Sequence, residues 1–228
     1  RLKHGYAVAV VPNPNWRAAT TVPSRGTESD ISKGGRLLKA ASIAWTASTL
    51  PERTVSNREI GELLIAGVRI DDEAAAEIVS KTRERSESIE RKTGLRARRF
   101  FEPSQSPVNV GLELLERLVP SDGWATLDAL IVSSSSTQGF PGLSQQILAA
   151  GRDRHPEVGA PFVLDIGSNA CTSFMYGLAI GVSTMQGMDY RNVACLAIEF
   201  ASRCIPYDPI SFGTSTLFGD AAAGVLLA

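Results

Sequence analysis

Histidine, cysteine and long apolar runs are scarce in this sequence, and each shortage argues against a class of function. The 228 residues include two histidines, His4 and His155, and three cysteines, none of them in a Cys-x-x-Cys pair. This pattern argues against a zinc site and against a disulfide framework, so we expect a reducing, cytoplasmic location. No apolar run approaches the about 20 residues that span a bilayer, so we expect no membrane association.

The chain also lacks a large excess of positive or negative charge. The chain has 23 lysines and arginines against 24 aspartates and glutamates, a net charge of −1. A balanced charge gives no broad positive field for nucleic acid, so no nucleic-acid partner is expected. The hydrophobic fraction of 43% and the charged fraction of 21% are those of an ordinary globular protein.

The N-terminal residues differ from the rest of the chain. Residues 1–36 are rich in turn formers, as in 11–16 and 24–29, and show no sustained hydrophobic period. We predict that they form an irregular extension or linker. Organised structure is predicted over residues 37–228, beginning with a strand at 39–46.

Strand-length apolar runs then alternate with longer periodic segments. The predicted strands cover residues 127–132, 162–166, 193–200 and 222–227. The predicted helices begin after Ser56 and near Asp71, and further helices cover 108–118, 143–150 and 171–188. Strands without a polar face that alternate with helices predict an α/β fold with a mostly parallel, mixed sheet covered by helices.

Cys171 stands where a predicted buried strand turns into a predicted helix. Unpaired N–H groups and the dipole at a helix N-terminus favour the thiolate, which is the nucleophilic form of cysteine. Position alone leaves another interpretation open, because an isolated cysteine in an apolar stretch is usually a small buried side chain. We assign that structural role to Cys195, inside a predicted strand, and to Cys204 just beyond it.

Four motifs, in the same order along the chain, resemble those of the β-ketoacyl-acyl carrier protein synthase III family. They are residues 93–99, 131–137 with Phe140 and Pro141, 169–180 around Cys171, and 217–224. The resemblance runs from about Leu37 to Ala228. It implies a thiolase-like fold, of which residues 37–228 would be the N-terminal α/β unit.

The resemblance implies that Cys171 takes an acyl group from a thioester and passes it to a second substrate. The implied activity is that of a condensing acyltransferase of fatty acid or polyketide-type biosynthesis. Coenzyme A or phosphopantetheine thioesters, including acyl carrier protein, would be substrates, and no cofactor would be tightly bound. An ester- or amide-forming relative and a non-catalytic or heterodimer subunit remain as alternatives. A cysteine hydrolase is weaker, because His155 lies in a polar loop and is expected at the surface.

Four further residues are implied to contact substrate. Lys92 and Arg96 belong to a basic cluster that resembles the family's coenzyme A phosphate site. Lys92 stands where the family commonly has arginine, and Ser88 where it often has tryptophan, so a carrier-protein thioester fits as well as coenzyme A. Arg203 resembles a position near the substrate entrance, and Phe140 a position that reaches the acyl pocket of a neighbouring subunit.

The resemblance also implies partner chains. Residues 193–200 resemble the edge strand that pairs across the family's two-fold axis, so a homodimer or heterodimer is expected. The family's catalytic histidine and asparagine lie beyond the equivalent of Ala228. We therefore expect a complementary C-terminal half, either as the second chain of a split enzyme or as the rest of a longer polypeptide. Because that half would cover the last predicted strand, 222–227, one face of this unit should be exposed.

Overall fold

A computed structural model describes residues 41–136, 139–167 and 169–228, and one compact unit spans Ala41–Ala228. The predicted extension, residues 1–36, and the first two residues of the predicted strand at 39–46 lie outside the described residues. No helix in the described ranges is long and apolar enough to cross a membrane.

The described residues of the unit form seven strands and seven α-helices. The strands are β1 (Ile43–Thr49), β2 (Arg53–Ser56), β3 (Ala97–Phe100), β4 (Ala129–Ser133), β5 (Phe162–Ile166), β6 (Val193–Glu199) and β7 (Ala221–Leu227). The helices are α1 (Asn57–Ile65), α2 (Glu73–Glu87), α3 (Ile89–Thr93), α4 (Pro107–Leu118), α5 (Leu143–Arg154), α6 (Ser173–Met188) and α7 (Phe212–Ser215). The order matches the predicted α/β alternation.

The main sheet has five strands in the order β1-β7-β6-β4-β5. β4 is parallel to β5 and β6, whereas β7 is antiparallel to both β6 and β1. All strands but β7 therefore run in one direction, which confirms the predicted mostly parallel, mixed sheet.

The prediction that residues 193–200 form an edge strand is wrong. β6 lies inside the sheet, hydrogen-bonded to β4 on one side and to β7 on the other. Its apolar run fits this position, because strands buried on both faces carry continuous rather than alternating apolar residues. The edges of the main sheet are β1 and β5.

Helices α4 and α5 cover one face of the sheet. Ser106 caps α4, since its Oγ accepts from the N–H of Asn109 at 3.1 Å, and Leu114 is completely buried. The absence of a side chain at Gly111 lets the two helices come close, since a Cβ there would lie 2.4 Å from the Ile147 side chain. The α4–α5 layer thus forms the larger core of the unit.

Helix α6 covers part of the opposite face. A Cβ at Gly177 would lie 3.0 Å from Ser133 Oγ, and one at Gly181 would lie 3.0 Å from Cys195 Sγ. The two glycines let α6 lie directly on β4 and β6. The predicted helix over 171–188 begins at Ser173 instead, and a 3₁₀ turn, Ala170–Thr172, precedes it.

A two-stranded antiparallel ribbon of β2 and β3 lies beside α1–α3 and was not predicted. Short strands with charged side chains, such as those of β3, lack the apolar run that marks a strand. The start of α1 was predicted correctly. Ser56 Oγ accepts from the N–H of Glu59, and the Glu59 carboxylate accepts from the N–H of Ser56 at 2.8 Å. Asp72 likewise caps α2, as expected for a helix starting near Asp71.

Candidate active site

Cys171 lies on the 3₁₀ turn between β5 and α6, and its side chain is exposed. Ala170, just before it, has a φ of +47°, a left-handed conformation that turns the chain sharply. Thr172 Oγ1 donates to the Asn169 carbonyl at 2.7 Å, and Ser173 Oγ donates to the Ala170 carbonyl at 2.9 Å. The turn is therefore held by its own side chains and presents Cys171 ahead of α6. This agrees with the predicted strand–turn–helix junction, whose residue Ser168 lies outside the described residues.

Cys171 opens into a cavity of about 520 Å³ on the α6 side of the sheet. Most of the wall is apolar, and alanines of β6 and β7 form part of it. The lining residues are Ser135, Ser136, Ala170, Cys171, Ala197, Glu199, Ala201, Cys204, Ile205, Thr214, Phe218, Gly219, Ala221 and Ala223. A concave apolar cavity with a few polar groups is typical of small-molecule sites.

The three cysteines lie in different environments. Cys195 is 1% exposed, and burial raises the pKa of its thiol to about 12, which confirms its predicted place in the core. Cys204, predicted to be structural, is exposed and lines the same cavity as Cys171, and its thiol donates to the Ser136 carbonyl at 2.6 Å. Desolvation raises the pKa of the Cys204 thiol, and the carboxylates of Glu199 and Asp220 raise it further.

Glu199 is a site residue that the sequence reasoning missed. It is the last residue of β6, and its Oε1 accepts from the N–H of Ser135 at 2.8 Å. Its position offered a clue, because sites in α/β sheets form beyond the carboxyl ends of the parallel strands.

Asp220 holds together the loops that surround the cavity. Its buried carboxylate accepts from the N–H of Phe101 at 2.9 Å, the N–H of Ser202 at 2.8 Å and the Ser202 hydroxyl at 2.6 Å. Asp220 thus ties the start of β7 to the loop that carries Cys204. Asp220 belongs to the 217–224 motif, and these contacts of its carboxylate are structural.

The predicted phosphate-binding residues do not line the Cys171 cavity. Lys92 is exposed at the end of α3, and Arg96 is exposed and paired with Glu90 at 2.9 Å. Two neighbours serve the fold instead. The Arg98 guanidinium is buried against Asn57 and the Thr216 carbonyl, and Arg99 donates to the Pro51 carbonyl at 2.8 Å.

Arg203 and Phe140 also lie outside the Cys171 cavity. Arg203 donates to the carbonyls of Glu102 and Gln105, each at 2.8 Å, and lines a second cavity of about 500 Å³ near the N-terminal ends of α4 and α5. Phe140 is 99% exposed. Contacts of these residues with substrate, like those of Lys92 and Arg96, stay predictions.

We had expected His155 at the surface from the sequence. In the structure it is half-buried. Its ring stacks on Trp124 with centroids 3.9 Å apart, and its Nε2 lies 3.2 Å from a Glu116 carboxylate oxygen. It does not line the Cys171 cavity. Among the described residues, no group of three or more histidine, cysteine, aspartate or glutamate side chains could hold a metal ion.

Comparisons with known proteins show what this chain is similar to. The family model for 3-oxoacyl-[acyl-carrier-protein (ACP)] synthase III matches residues 164–228, which include Cys171. The β-ketoacyl-[acyl-carrier-protein] synthase III of Acidiphilium cryptum (strain JF-5) is 30% identical over 189 residues, which are 81% of this chain and 51% of the relative. The corresponding protein of Rhodopirellula baltica is 31% identical over 191 residues, 83% of this chain and 48% of the relative.

The fold comparison agrees with the described architecture. The crystal structure of 3-oxoacyl-[acyl-carrier-protein] synthase III from Aquifex aeolicus VF5 matches with a TM-score of 0.61 at 20% identity, over 83% of this chain and 54% of that one. The chain spans about half the length of the curated relatives it matches. The fold is therefore the thiolase-like α/β fold predicted from the sequence. The predicted resemblance to the β-ketoacyl-[acyl-carrier-protein] synthase III family is confirmed.

Proposed function

We propose that this chain is the acyl-accepting unit of a condensing acyltransferase of the ketoacyl synthase III type. The observation that carries the proposal is the exposed thiol of Cys171 on a strand–helix turn, opening into an apolar cavity of about 520 Å³. A thiol of this kind needs access to its substrate, and the apolar wall suits the hydrocarbon part of an acyl group.

The proposed reaction has two steps. The Cys171 sulfur attacks the carbonyl carbon of an acyl thioester, a new carbon–sulfur bond forms, and the bond to the carrier sulfur breaks. The carrier leaves as a thiol after taking up a proton. A second substrate then attacks the acyl-cysteine carbonyl, takes the acyl group and releases the Cys171 thiol. No tightly bound cofactor takes part in either step.

The proposed substrates are coenzyme A or acyl carrier protein thioesters of cytoplasmic fatty acid or polyketide-type biosynthesis. The names of the relatives refer to acyl carrier protein. In both carriers the thioester hangs from a phosphopantetheine arm. Lys92 is exposed and could contact its phosphate. Arg96 could do so after leaving its surface pair with Glu90.

A complementary half is part of the proposal. Helix α6 exposes Met175, Tyr176 and Met188 at 64%, 54% and 55%. Large exposed apolar side chains on one helix are typical of a surface that another unit covers. The described lining of the Cys171 cavity contains no histidine, so we propose that the second unit supplies the histidine and the asparagine.

A homodimer or heterodimer is also proposed. Pairing between sheets requires an edge strand, and β1 and β5 are the two edges of the main sheet. Phe140, which is 99% exposed, is proposed to contact the acyl pocket of the partner subunit.

The test is intact-mass spectrometry of the protein as isolated, after incubation with a panel of acyl thioesters. We expect a mass gain of one acyl group that Cys171→Ala abolishes and that persists in Cys204→Ala. The same spectrum identifies any chain that co-purifies. If no mass is gained in the presence of a complementary chain carrying histidine and asparagine, the protein is a non-catalytic subunit and the acyl-enzyme proposal is wrong.

A further inference from the structure

One charged side chain stands in the otherwise uncharged wall of the Cys171 cavity. Among the described residues that line it, Glu199 is the only acidic or basic one. The other lining residues are apolar, or carry hydroxyl or thiol groups. Glu199 occupies the carboxyl end of β6 and is only partly exposed.

The carboxylate of Glu199 is tethered to the cavity wall. Its Oε1 accepts from the N–H of Ser135 at 2.8 Å. The neighbouring Ser136 is fixed in turn, since its Oγ accepts from the N–H of Phe200 at 2.7 Å. The side chain is therefore held beside the cavity instead of extending freely into solvent.

The charge of Glu199 acts on a second group in the cavity. Cys204 lines the same cavity, and the pKa of its thiol is raised first by desolvation and next by the Glu199 carboxylate. A negative charge that disfavours a thiolate at Cys204 also disfavours a carboxylate anion brought close to Glu199 in the cavity.

An acyl chain that ends in a carboxylate would be such an anion. It would lose hydration on entering the apolar cavity and would then face a carboxylate of the same sign. An uncharged hydrocarbon chain of the same length suffers neither penalty. Charge repulsion of this kind is a general way in which sites exclude a competing ligand.

We propose that Glu199 is a specificity-determining residue that restricts loading of Cys171 to uncharged acyl chains and rejects chains with a terminal carboxylate. This inference rests on the proposed function. It also defines the donor class: the reaction that supplies this site must produce the thioester of a simple monocarboxylic acid.

A matched pair of thioesters tests the proposal. Octanoyl and suberoyl coenzyme A carry chains of equal length that differ in the terminal carboxylate. The full protein, with any chain that co-purifies, is incubated with each, and acylation of Cys171 is followed by intact mass. We expect octanoyl loading to be at least about tenfold faster than suberoyl loading.

The variant Glu199→Gln should remove most of this preference. Glutamine keeps the shape, and its amide oxygen still accepts from the Ser135 N–H, so only the charge is lost. Suberoyl loading should rise by about tenfold, and octanoyl loading should stay within about twofold. Alkylation of Cys204 should also become faster at neutral pH, which reports the lost charge independently of acylation.

Glu113→Gln is the control, because this exposed residue of α4 carries the same charge outside the cavity. It should keep the wild-type preference. Equal loading of both thioesters by the wild type, or an unchanged preference in Glu199→Gln, overturns the role of Glu199 while the proposed function stands. Failure of the wild type to load any thioester overturns the proposed function, and this inference with it.

Discussion

The two faces of the five-stranded sheet differ in how completely helices cover them. On one face, α4 and α5 pack into a core in which Leu114 and Leu196 are completely buried. We call this the closed face. The other, the open face, carries α6 and the Cys171 cavity, and α6 leaves Met175 and Tyr176 more than half exposed.

The closed face mainly stabilises the fold, whereas the open face carries the exposed thiols. The closed face excludes water and contributes most of the hydrophobic stabilisation, which grows with the apolar area removed from water. The open face has a smaller core, Cys171 and Cys204 both lie on it, and it is the face we propose the complementary half covers. A reactive thiol must be accessible to substrate. It therefore cannot be buried as completely as the apolar side chains that stabilise the fold.

The largest expected effect is a difference in reactivity between the exposed thiols of the open face and Cys195, which α6 buries against the same face of the sheet. Alkylation requires the thiolate. With its pKa raised to about 12, Cys195 is thiolate for only about one molecule in 10⁴ at pH 8, and it is buried as well. We therefore expect an alkylating reagent to modify Cys171 in the folded protein and to leave Cys195 unmodified, as peptide mass mapping would show.

The pH dependence of Cys204 sharpens this prediction. Its pKa is raised, so at a given pH less of it is thiolate than in an ordinary exposed cysteine, and its alkylation rate should keep rising at a pH where an ordinary thiol has levelled off. Denatured protein, in which all three cysteines should react, is the control. Modification of Cys195 at the rate of Cys171 in the native state would contradict the described packing.

Side-chain truncation compares the two faces directly. Leu114→Ala removes a completely buried side chain from the closed face and should lower the free energy of unfolding by about 2–5 kcal/mol. Met175→Ala on the open face should change it by less than about 0.5 kcal/mol, because that side chain is already 64% exposed. Urea unfolding followed by circular dichroism measures both. Similar losses would mean that Met175 is covered in the isolated chain.

Several helices could be predicted from the sequence, because local rules decide where a helix begins and ends. The capping box at Ser56 predicted the start of α1, and the apolar periodicity of residues 108–118 predicted α4 to within one residue. Position in the sheet is a different matter. The run of residues 193–200 identified a strand, but strand order depends on contacts between distant segments that no local pattern records.

The candidate site was predicted in part for the same reason. The strand–turn–helix junction around Cys171 is local, and the motif there pointed to it. That Cys204 and Glu199 line the same cavity depends on where the end of β6 lies relative to α6. Neither residue stands in a motif, and the one local clue, the position of Glu199 at the carboxyl end of a strand, does not show which other residues lie beside it.

The smallest expected effect concerns the glycines that bring α6 onto the sheet. A Cβ at Gly181 would lie 3.0 Å from both Cys195 Sγ and Leu227 Cδ1, closer than packed side chains normally approach. Gly181→Val adds two further methyl groups, so α6 must move away from β6 and β7. We expect a loss of about 1–3 kcal/mol in the free energy of unfolding, measured by urea unfolding.

Gly187→Ala in the same helix is the matched control, because a Cβ there meets no atom within 4 Å. Alanine is favoured over glycine inside a helix, so this change should raise stability by up to about 1 kcal/mol. Opposite signs for the two substitutions would show that close approach to the sheet, rather than helix propensity, accounts for Gly181. If Gly181→Val is also neutral or stabilising, α6 rests less tightly on the sheet than described, and Cys171, on the 3₁₀ turn that leads into this helix, is less firmly positioned.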